Sequence, residues 1–282
     1  MTDEYMRTLL RRCVEEDGRS RDVTSESIVY AQSKEIFAIN IRGGGTIAGL
    51  NPIAMALDVF DDLSLEILHA DGEHVQDKNI ALLKGEVRAI LVAERIILNI
   101  LGYASGIATQ TKLFVDAVEG TGCKICDTRK TTPGLRLLDK YAVSCGGGTS
   151  HRMGLHDAAL YKDNHLAGME DIAGELGAAI SRVREHSELR FIEVEVDSIE
   201  QLEQVLPLPV DIILLDNMSL EMLREAVVLR DASQTSPLLE ASGGVTLETV
   251  REIAETGVDR ISIGGLVHQS TWVDIGLDAI DG

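Results

Sequence analysis

The spacing of apolar and polar positions separates an irregular first third of the chain from a repetitive remainder. Residues 36–41 are typical of a strand, which we expect the glycines at 43–45 to break, and Asn51 is placed to cap a helix. Apolar residues then recur at helical spacing, which predicts one helix over 90–104 and a second that ends at Gly120. The first part of the chain therefore alternates short strands, turns and helices.

From about residue 124, short apolar strands alternate with capped helices. Four successive strands close with a polar residue or a glycine, namely Glu195, Asp216, Ser242 and Gly264. Ser198, Ser219 and Thr246 are placed to cap the helices that follow the first three of these strands. This alternation predicts a parallel sheet covered by helices, and its regular spacing favours closure into an α/β barrel. Polar groups at the carboxyl ends of barrel strands mark the expected active site.

Composition narrows the class of protein. The 282 residues are 45% hydrophobic and 26% charged, as in a soluble globular protein, and the formal charge of −20 argues against binding to nucleic acid. The N-terminus lacks the apolar run of a signal peptide, and the uncharged stretch 96–111 is too short to span a membrane. With only four cysteines in the chain, we expect a cytoplasmic protein.

Two of the cysteines, Cys123 and Cys126, have the C-x-x-C spacing of zinc and redox sites. No second cysteine pair or histidine cluster lies at ligand spacing from them in the sequence. We therefore favour a buried strand with two core cysteines over a zinc or redox site.

Positive charge is concentrated between residues 124 and 165. This window has seven cations against four acids, a local charge of +3 in an otherwise acidic chain, and it includes three of the seven histidines. Because Gly-rich loops alternate with these cations, a pocket for an anion with several carboxylates or phosphates is the better interpretation. The alternative is a surface on which the cations only neutralise nearby acids.

Phosphate and metal chemistry is indicated at the strand ends. Glycine pairs at 243–244 and 264–265 follow neighbouring strands and predict a phosphate cradle, although either pair alone could form a simple tight turn. Glu195 and Asp216 are carboxylates suited to Mg²⁺ or to sugar hydroxyls. Glu193 is an alternative to Glu195, because side-chain alternation puts both on one face of the strand.

Specific motifs occur along essentially the whole chain. The most distinctive are T-R-K-T-T-P-G-L-R at 128–136, H-R-M-G at 151–154 and K-D-N-H at 162–165; L-L-D-N at 214–217 and S-G-G at 242–244 add to them. Together these blocks resemble the quinolinate phosphoribosyltransferase family, also called carboxylating nicotinate-nucleotide pyrophosphorylases.

The resemblance implies a fold and a reaction. The fold would be an N-terminal α/β sandwich domain over 1–105, with 268–282 packing back on it, and an incomplete seven-stranded α/β barrel over 106–267. The reaction would join quinolinate to phosphoribosyl pyrophosphate (PRPP), with Mg²⁺, to give nicotinate mononucleotide, pyrophosphate and CO₂ in de novo NAD biosynthesis. The protein would be a homodimer or larger homo-oligomer with shared active sites, without nucleic-acid or membrane partners.

The resemblance also implies roles for individual residues. The quinolinate carboxylates would be held by Thr128, Arg129, Lys130, His151 and Arg152, with Arg95 reaching in from a neighbouring subunit. Lys162 would lie between the base and the sugar phosphates, and Glu195 and Asp216 would hold the ribose and its Mg²⁺–pyrophosphate. The 5′-phosphate would be bound by Ser242, Gly243, Gly244, Ile263, Gly264 and Gly265.

Three alternatives remain open at the level of sequence. A paralogue acting on another pyridine or azole acid is one, because Ser150 and Gly102 depart from the family's usual residues. A non-catalytic ligand-binding paralogue is another, although it would be expected to lose Lys162 or Glu195. A Schiff-base aldolase barrel could use Lys130 or Lys162.

Overall fold

The computed structural model describes residues 2–17, 22–28, 33–166, 168–169, 171–185 and 189–280. Its strands are β1 (Lys34–Thr46), β2 (Ser64–Ile67), β3 (His74–Glu86), β4 (Lys124–Cys126), β5 (Ala159–Tyr161), β6 (Ile192–Val196), β7 (Ile212–Asp216), β8 (Leu238–Ser242), β9 (Arg260–Ser262) and β10 (Asp274–Ala279). Its helices are α1 (Asp3–Glu16), α2 (Val23–Ile28), α3 (Leu50–Met55), α4 (Val87–Ala117), α5 (Arg136–Cys145), α6 (Asp163–Leu166), α7 (Ile172–Val183), α8 (Ile199–Val205), α9 (Leu220–Ala232), α10 (Val250–Ala254) and α11 (Gly265–His268). A 3₁₀ turn covers Leu57–Val59.

The chain folds into two compact units. The first consists of Met1–Lys112, Thr132–Gly147 and Gln269–Gly282, and the second of Leu113–Thr131 and Gly148–His268. The boundary therefore falls inside α4, and α5 and β10 belong to the first unit.

An antiparallel sheet with strand order β10-β1-β3-β2 forms the framework of the first unit. The prediction that the glycines at 43–45 break the first strand is wrong, because β1 continues through them to Thr46. The pairing of β1 with β3 shifts register between Ile41 and Gly44, and Gly43 has φ +76° and donates its N–H to Asp77 Oδ1 at 2.8 Å. The glycines form a bulge that the long pairing on either side holds in place.

Helix α3 begins at Leu50, two residues earlier than a cap at Asn51 predicts, and Asn51 does not cap it. Gly49 occupies the N-cap position, and the free amides of Leu50 and Asn51 donate to Asp71 at 3.0 and 3.1 Å. A carboxylate distant in sequence thus satisfies the helix end, as a local N-cap side chain ordinarily would.

The two helices predicted over 90–104 and up to Gly120 are one continuous helix, α4, of 31 residues. Its glycines permit close packing instead of breaking the helix. A Cβ at Gly102 would lie 2.9 Å from the Val273 carbonyl oxygen, and a Cβ at Gly106 would overlap the Thr271 carbonyl. Among the described residues α4 is the one helix long and apolar enough to cross a membrane, but 67% of its most apolar window is buried inside the protein. This burial is typical of the core helix of a soluble protein.

The second unit contains a six-stranded parallel sheet with the order β4-β9-β8-β7-β6-β5. Ser198 and Ser219 cap α8 and α9 as predicted, each accepting a hydrogen bond from the third residue beyond it. The predicted cap at Thr246 is wrong: α10 begins at Val250 with Thr249 at its N-cap, because a turn over 246–249 comes first.

A seventh segment extends this sheet by a single residue. Thr149 forms a parallel bridge with Cys126 on the free edge of β4, through hydrogen bonds of 2.8 and 3.1 Å. In a flat sheet this segment would lie five strand spacings, roughly 24 Å, from β6. His151, two residues further on, is nevertheless 3.0 Å from Glu193 of β6. The sheet therefore curls round on itself, which confirms the predicted incomplete barrel.

Candidate active site

The carboxyl ends of the parallel strands place the predicted acidic and glycine residues on one rim of the second unit. Glu195 pairs in register with Leu214, and Asp216 lies two residues further along that neighbouring strand. The two carboxylates therefore extend from the same face, with Cα atoms roughly 8 Å apart by strand geometry. Ser242 pairs with both Asp216 and Ser262, so the two glycine pairs follow adjacent strands at the same rim.

The cations of the second unit gather at this rim. Arg152 is only 6% exposed, and its pKa is lowered first by burial and then by the neighbouring Arg129 cation. Lys162 Nζ lies 2.8 Å from Glu195 Oε2. A Cβ added to Gly264 would lie 2.8 Å from Lys130 Cδ, so the Lys130 stem covers the second glycine pair.

Thr128 supports the turn that carries the cations, whereas Arg95 lies in the first unit. Thr128 Oγ1 accepts a hydrogen bond from the Lys130 amide at 2.9 Å and so shapes the turn that carries the cations. Arg95 belongs to the first unit, on α4, where its side chain is 67% exposed and lies 3.9 Å from Glu94. Its guanidinium is open to an incoming group.

His151 is held inside the barrel by contacts on every polar atom of its ring. Its Nε2 lies 3.0 Å from Glu193 Oε2 and 3.3 Å from Glu240 Oε1, while Nδ1 accepts the Arg152 amide at 2.8 Å. Its own amide donates to the buried Asp127 at 2.8 Å. Because Nδ1 accepts a hydrogen bond in this geometry, the ring proton lies on Nε2, facing the two carboxyl groups.

The charge state of His151 is governed by these neighbours. Burial opposes a charge on the ring, but the Glu193 and Glu240 oxygens that accept from Nε2 outweigh it and raise the pKa of His151 to about 9. A second ring proton would have to displace the Arg152 amide from Nδ1. Protonation of His151 is thus linked to the backbone of the next residue.

One buried cluster in the described part of the chain has the composition of a metal site, formed by His151, Glu193 and Glu240. Arg260 Nε lies 2.9 Å from Glu240 Oε2 and already supplies a positive charge there. We therefore interpret the cluster as a buried ion-pair network. For Mg²⁺, the partly exposed oxygens of Glu195 and Asp216 at the rim are the better match to the ligand preference of this ion.

The first glycine pair is shaped by a residue that sequence reasoning did not single out, Asn217. This residue has φ +54°, its Nδ2 donates to Asp216 Oδ2 at 2.7 Å, and its amide donates to the Ser242 carbonyl at 2.9 Å. A Cβ at Gly243, which has φ +101°, would overlap the Asn217 side chain. Asn217 thus fixes both the Asp216 carboxylate and the glycine turn. In the sequence, the Asp-Asn pair at the end of an apolar strand is the pattern that could have indicated this residue.

Sequence reasoning also missed Glu240 and Arg260 and treated Glu193 only as an alternative to Glu195. The structure separates the two glutamates, because Glu193 is fully buried whereas the Glu195 side chain is 13% exposed at the rim. A charged residue within an otherwise apolar strand was the available signal for all three.

The C-x-x-C cysteines lie in the core, as the sequence predicts. Both are free and buried, and burial raises the pKa of each thiol to about 12. Cys126 Sγ accepts a hydrogen bond from Arg260 Nε at 3.3 Å. Thiols with this pKa are protonated and poorly reactive at neutral pH.

The two departures from the family pattern have structural explanations. Gly102 lies where the 272–273 backbone packs against α4, as described above. Tyr103 donates to Asp139 at 2.6 Å and contacts Thr132 Oγ1 at 2.6 Å within the first unit. Ser150 contacts only neighbours in its own loop, at His151 O and Met153 Sδ.

Comparison with known proteins agrees with this fold. Residues 22–105 match the family model "Quinolinate phosphoribosyl transferase, N-terminal domain", and residues 107–278 match the corresponding C-terminal domain. The chain belongs to the quinolinate phosphoribosyltransferase family. It is 42% identical over 277 residues to the carboxylating nicotinate-nucleotide pyrophosphorylase of Mycobacterium leprae, covering 96% of each chain.

Solved structures of similar proteins share the fold. The nicotinate-nucleotide pyrophosphorylase of Francisella tularensis superposes with a TM-score of 0.91 at 33% identity, covering 99% of this chain and 98% of that one. The corresponding protein of Ehrlichia chaffeensis gives a TM-score of 0.85 at 40% identity, covering 97% and 98%. The fold class predicted from the sequence is confirmed.

Proposed function

We propose that the protein transfers phosphoribose from PRPP to quinolinate and removes the 2-carboxylate, giving nicotinate mononucleotide, pyrophosphate and CO₂. The observation that carries this proposal is the buried Arg152, whose pKa is lowered by burial and then by the Arg129 charge, beside a rim of carboxylates and glycine turns. Since the two guanidinium charges disfavour each other, a ligand with two negative charges would stabilise both. A pyridine dicarboxylate has that charge.

The cations would bind and orient the dicarboxylate. Arg129 and Arg152 offer fork-shaped donors to its carboxylates, and Lys130 and Thr128 lie on the same turn. We propose that Arg95 completes the pocket from a second copy of the chain, which its 67% exposed side chain supports. Held in this way, the ring nitrogen is aimed at the anomeric carbon of the phosphoribosyl group.

The carboxylates and glycine turns would hold PRPP. The glycine pairs at 243–244 and 264–265, with Ser242 and Ile263, present backbone amides suited to the 5′-phosphate. Glu195 and Asp216 suit the ribose hydroxyls and Mg²⁺, which when bound neutralises the pyrophosphate oxygens of the leaving group. Lys162, whose Nζ is 2.8 Å from Glu195 Oε2, would lie at the junction of the two substrates.

The chemistry then follows from charge. The bond from the ring nitrogen to the anomeric carbon forms as the bond to pyrophosphate breaks, and the rim carboxylates stabilise the positive charge that develops on the ribose. The pyridinium nitrogen next accepts the electron pair left when the C2–carboxylate bond breaks. A proton then replaces CO₂ at C2, and nicotinate mononucleotide is complete.

The decisive experiment follows both products. We expect the purified protein, given Mg²⁺, PRPP and quinolinate labelled in its 2-carboxylate, to release pyrophosphate from PRPP and labelled CO₂ from quinolinate in equal amounts. Nicotinate offered in place of quinolinate should remain unchanged. Turnover of nicotinate without turnover of quinolinate would contradict the proposal. The same assay with other pyridine and azole acids tests the paralogue alternative.

A further inference from the structure

The interior of the barrel below the rim contains ionisable residues that the proposed chemistry does not use. Glu193 on β6 and Glu240 on β8 are fully buried, and Arg260 on β9 is 9% exposed. Arg260 pairs with Glu240 at 2.9 Å, and both glutamates converge on His151 Nε2 at 3.0 and 3.3 Å. Two strands thus direct carboxyl groups at one imidazole ring, and a third strand supplies the arginine that pairs with one of them.

Stability alone does not account for this network. Removing charged groups from water costs several kcal/mol per ion, and well-packed apolar residues of similar volume are often at least as stabilising. A barrel interior is ordinarily filled by branched apolar side chains. The network must therefore be considered for what it does to His151.

The contacts of His151 lead directly to the anion pocket. With Nε2 directed at the two carboxylates, Nδ1 is turned toward the Arg152 amide, which donates to it at 2.8 Å. The Arg152 guanidinium donates to the Ala158 carbonyl at 3.4 Å, and Asp127 accepts the His151 amide at 2.8 Å. Phe191 packs edge-on against the imidazole with ring centres 5.3 Å apart. The orientation of one ring thus sets the backbone position of Arg152.

We propose that Glu193 and Glu240 are positioning residues that act through His151 to hold Arg152 in the geometry that binds the substrate dicarboxylate. Arg260, 2.9 Å from Glu240 Oε2, holds that carboxyl group in place. The inference rests on the proposed function only in taking quinolinate as the ligand of Arg152. Neither glutamate needs to touch substrate, because each works through the ring and the amide bonded to it.

The test uses Glu193→Gln and Glu240→Gln in the full chain, since glutamine keeps the shape and removes the carboxyl group that faces His151 Nε2. We expect quinolinate to bind about tenfold to a hundredfold more weakly by calorimetry, with KM for quinolinate raised in parallel. KM for PRPP should stay within about twofold of wild type, because the rim carboxylates and glycine turns are not touched. Glu240→Asp, which keeps the charge, should recover part of the affinity.

A matched control separates positioning from stability. Asp211 also anchors a barrel strand, accepting the Ile192 amide at 2.7 Å and pairing with Arg184 at 3.1 Å, but it precedes β7 at the end away from the rim. Asp211→Asn should lower the melting temperature and leave quinolinate binding unchanged.

Each outcome decides one question. Wild-type quinolinate affinity in the folded glutamine variants, or an equal rise in both KM values, overturns the positioning role. If one glutamine variant does not fold, the other and Glu240→Asp give the same comparison. A wild-type protein that binds quinolinate without releasing pyrophosphate overturns the proposed function, while the ratio of dissociation constants still tests the network.

Discussion

Replacement of Lys162 by methionine separates the catalytic role of this lysine from the structural contribution of its ion pair with Glu195. At 2.8 Å the Lys162–Glu195 attraction amounts to about 6 kcal/mol at an effective dielectric constant of about 20. The lysine side chain is 45% exposed, however, so solvent screening and lost side-chain freedom reduce the net contribution to roughly 0–1 kcal/mol. For a chain of this length that corresponds to a fall in melting temperature of no more than about 4 °C.

The effect of Lys162→Met on catalysis should be much larger. The ammonium lies where carboxylate, pyridine and phosphate charges would meet, and loss of one such group typically lowers kcat by about 10²–10³-fold, or roughly 3–4 kcal/mol. We therefore expect activity to fall at least a hundredfold in a protein that melts almost normally.

Assays of pyrophosphate release measure the activity, and calorimetry on the same preparations measures the melting temperature. Lys84→Met is the control, because Lys84 forms a comparable exposed pair with Glu66 at 2.5 Å within the antiparallel sheet. It should change melting as little as Lys162→Met and leave activity intact. A Lys162→Met protein that retains activity but melts far lower would refute the assignment of Lys162 to the active site.

Three further perturbations have defined outcomes. Gly243→Ala should raise KM for PRPP strongly, because its Cβ would overlap the neighbouring amide side chain, whereas Gly244→Ala, which faces open space, should have a weaker effect in the same assay. Asp157 accepts the amides of the H-R-M-G loop at 2.8 and 2.9 Å, and although burial alone would raise its pKa these bonds lower it. The stabilisation that ionised Asp157 gives the folded state is then present above the unfolded-state pKa of about 3.9 and is lost as the pH falls. In urea unfolding, the free energy of unfolding of Asp157→Asn should therefore differ from that of wild type at pH 7 and converge with it in acid. Mixing inactive Arg95→Ala and Lys162→Met proteins should restore part of the activity if sites are shared between subunits.

The contrary results are equally specific. Equal effects of the two glycine substitutions would remove the steric argument, and an unfolding difference at Asp157 that persists in acid would mean that its charge is not involved. Absence of any recovery on mixing would assign Arg95 to its own chain or to no site.

Local patterns predicted those elements whose stabilising groups are close in sequence. Ser198 and Ser219 cap their helices because an N-cap acts over three residues, and the apolar strands of the barrel follow from burial on both faces. The continuity of β1 and α4 depended instead on distant partners: β3 and β10 for the strand, and the 271–273 backbone for the helix. Propensity favours a break at such glycines, and tertiary packing reverses it.

The candidate site likewise contains residues that local sequence patterns predicted and residues that they did not. The cations were visible as a local excess of charge, and the rim carboxylates as strand endings. Glu240 and Arg260 were not, because the contact of Glu240 with His151 depends on the curvature of the sheet and Arg260 pairs with Glu240 from a neighbouring strand, which no local pattern encodes.

The charges buried beneath the pocket also have a thermal consequence. The hydration of ions becomes less favourable as temperature rises, so the free-energy cost of keeping Glu193, Glu240 and Arg260 out of water falls on warming. Apolar packing around them does not gain in the same way. The free-energy cost of the charges buried beneath the rim is therefore smaller at high temperature and grows on cooling.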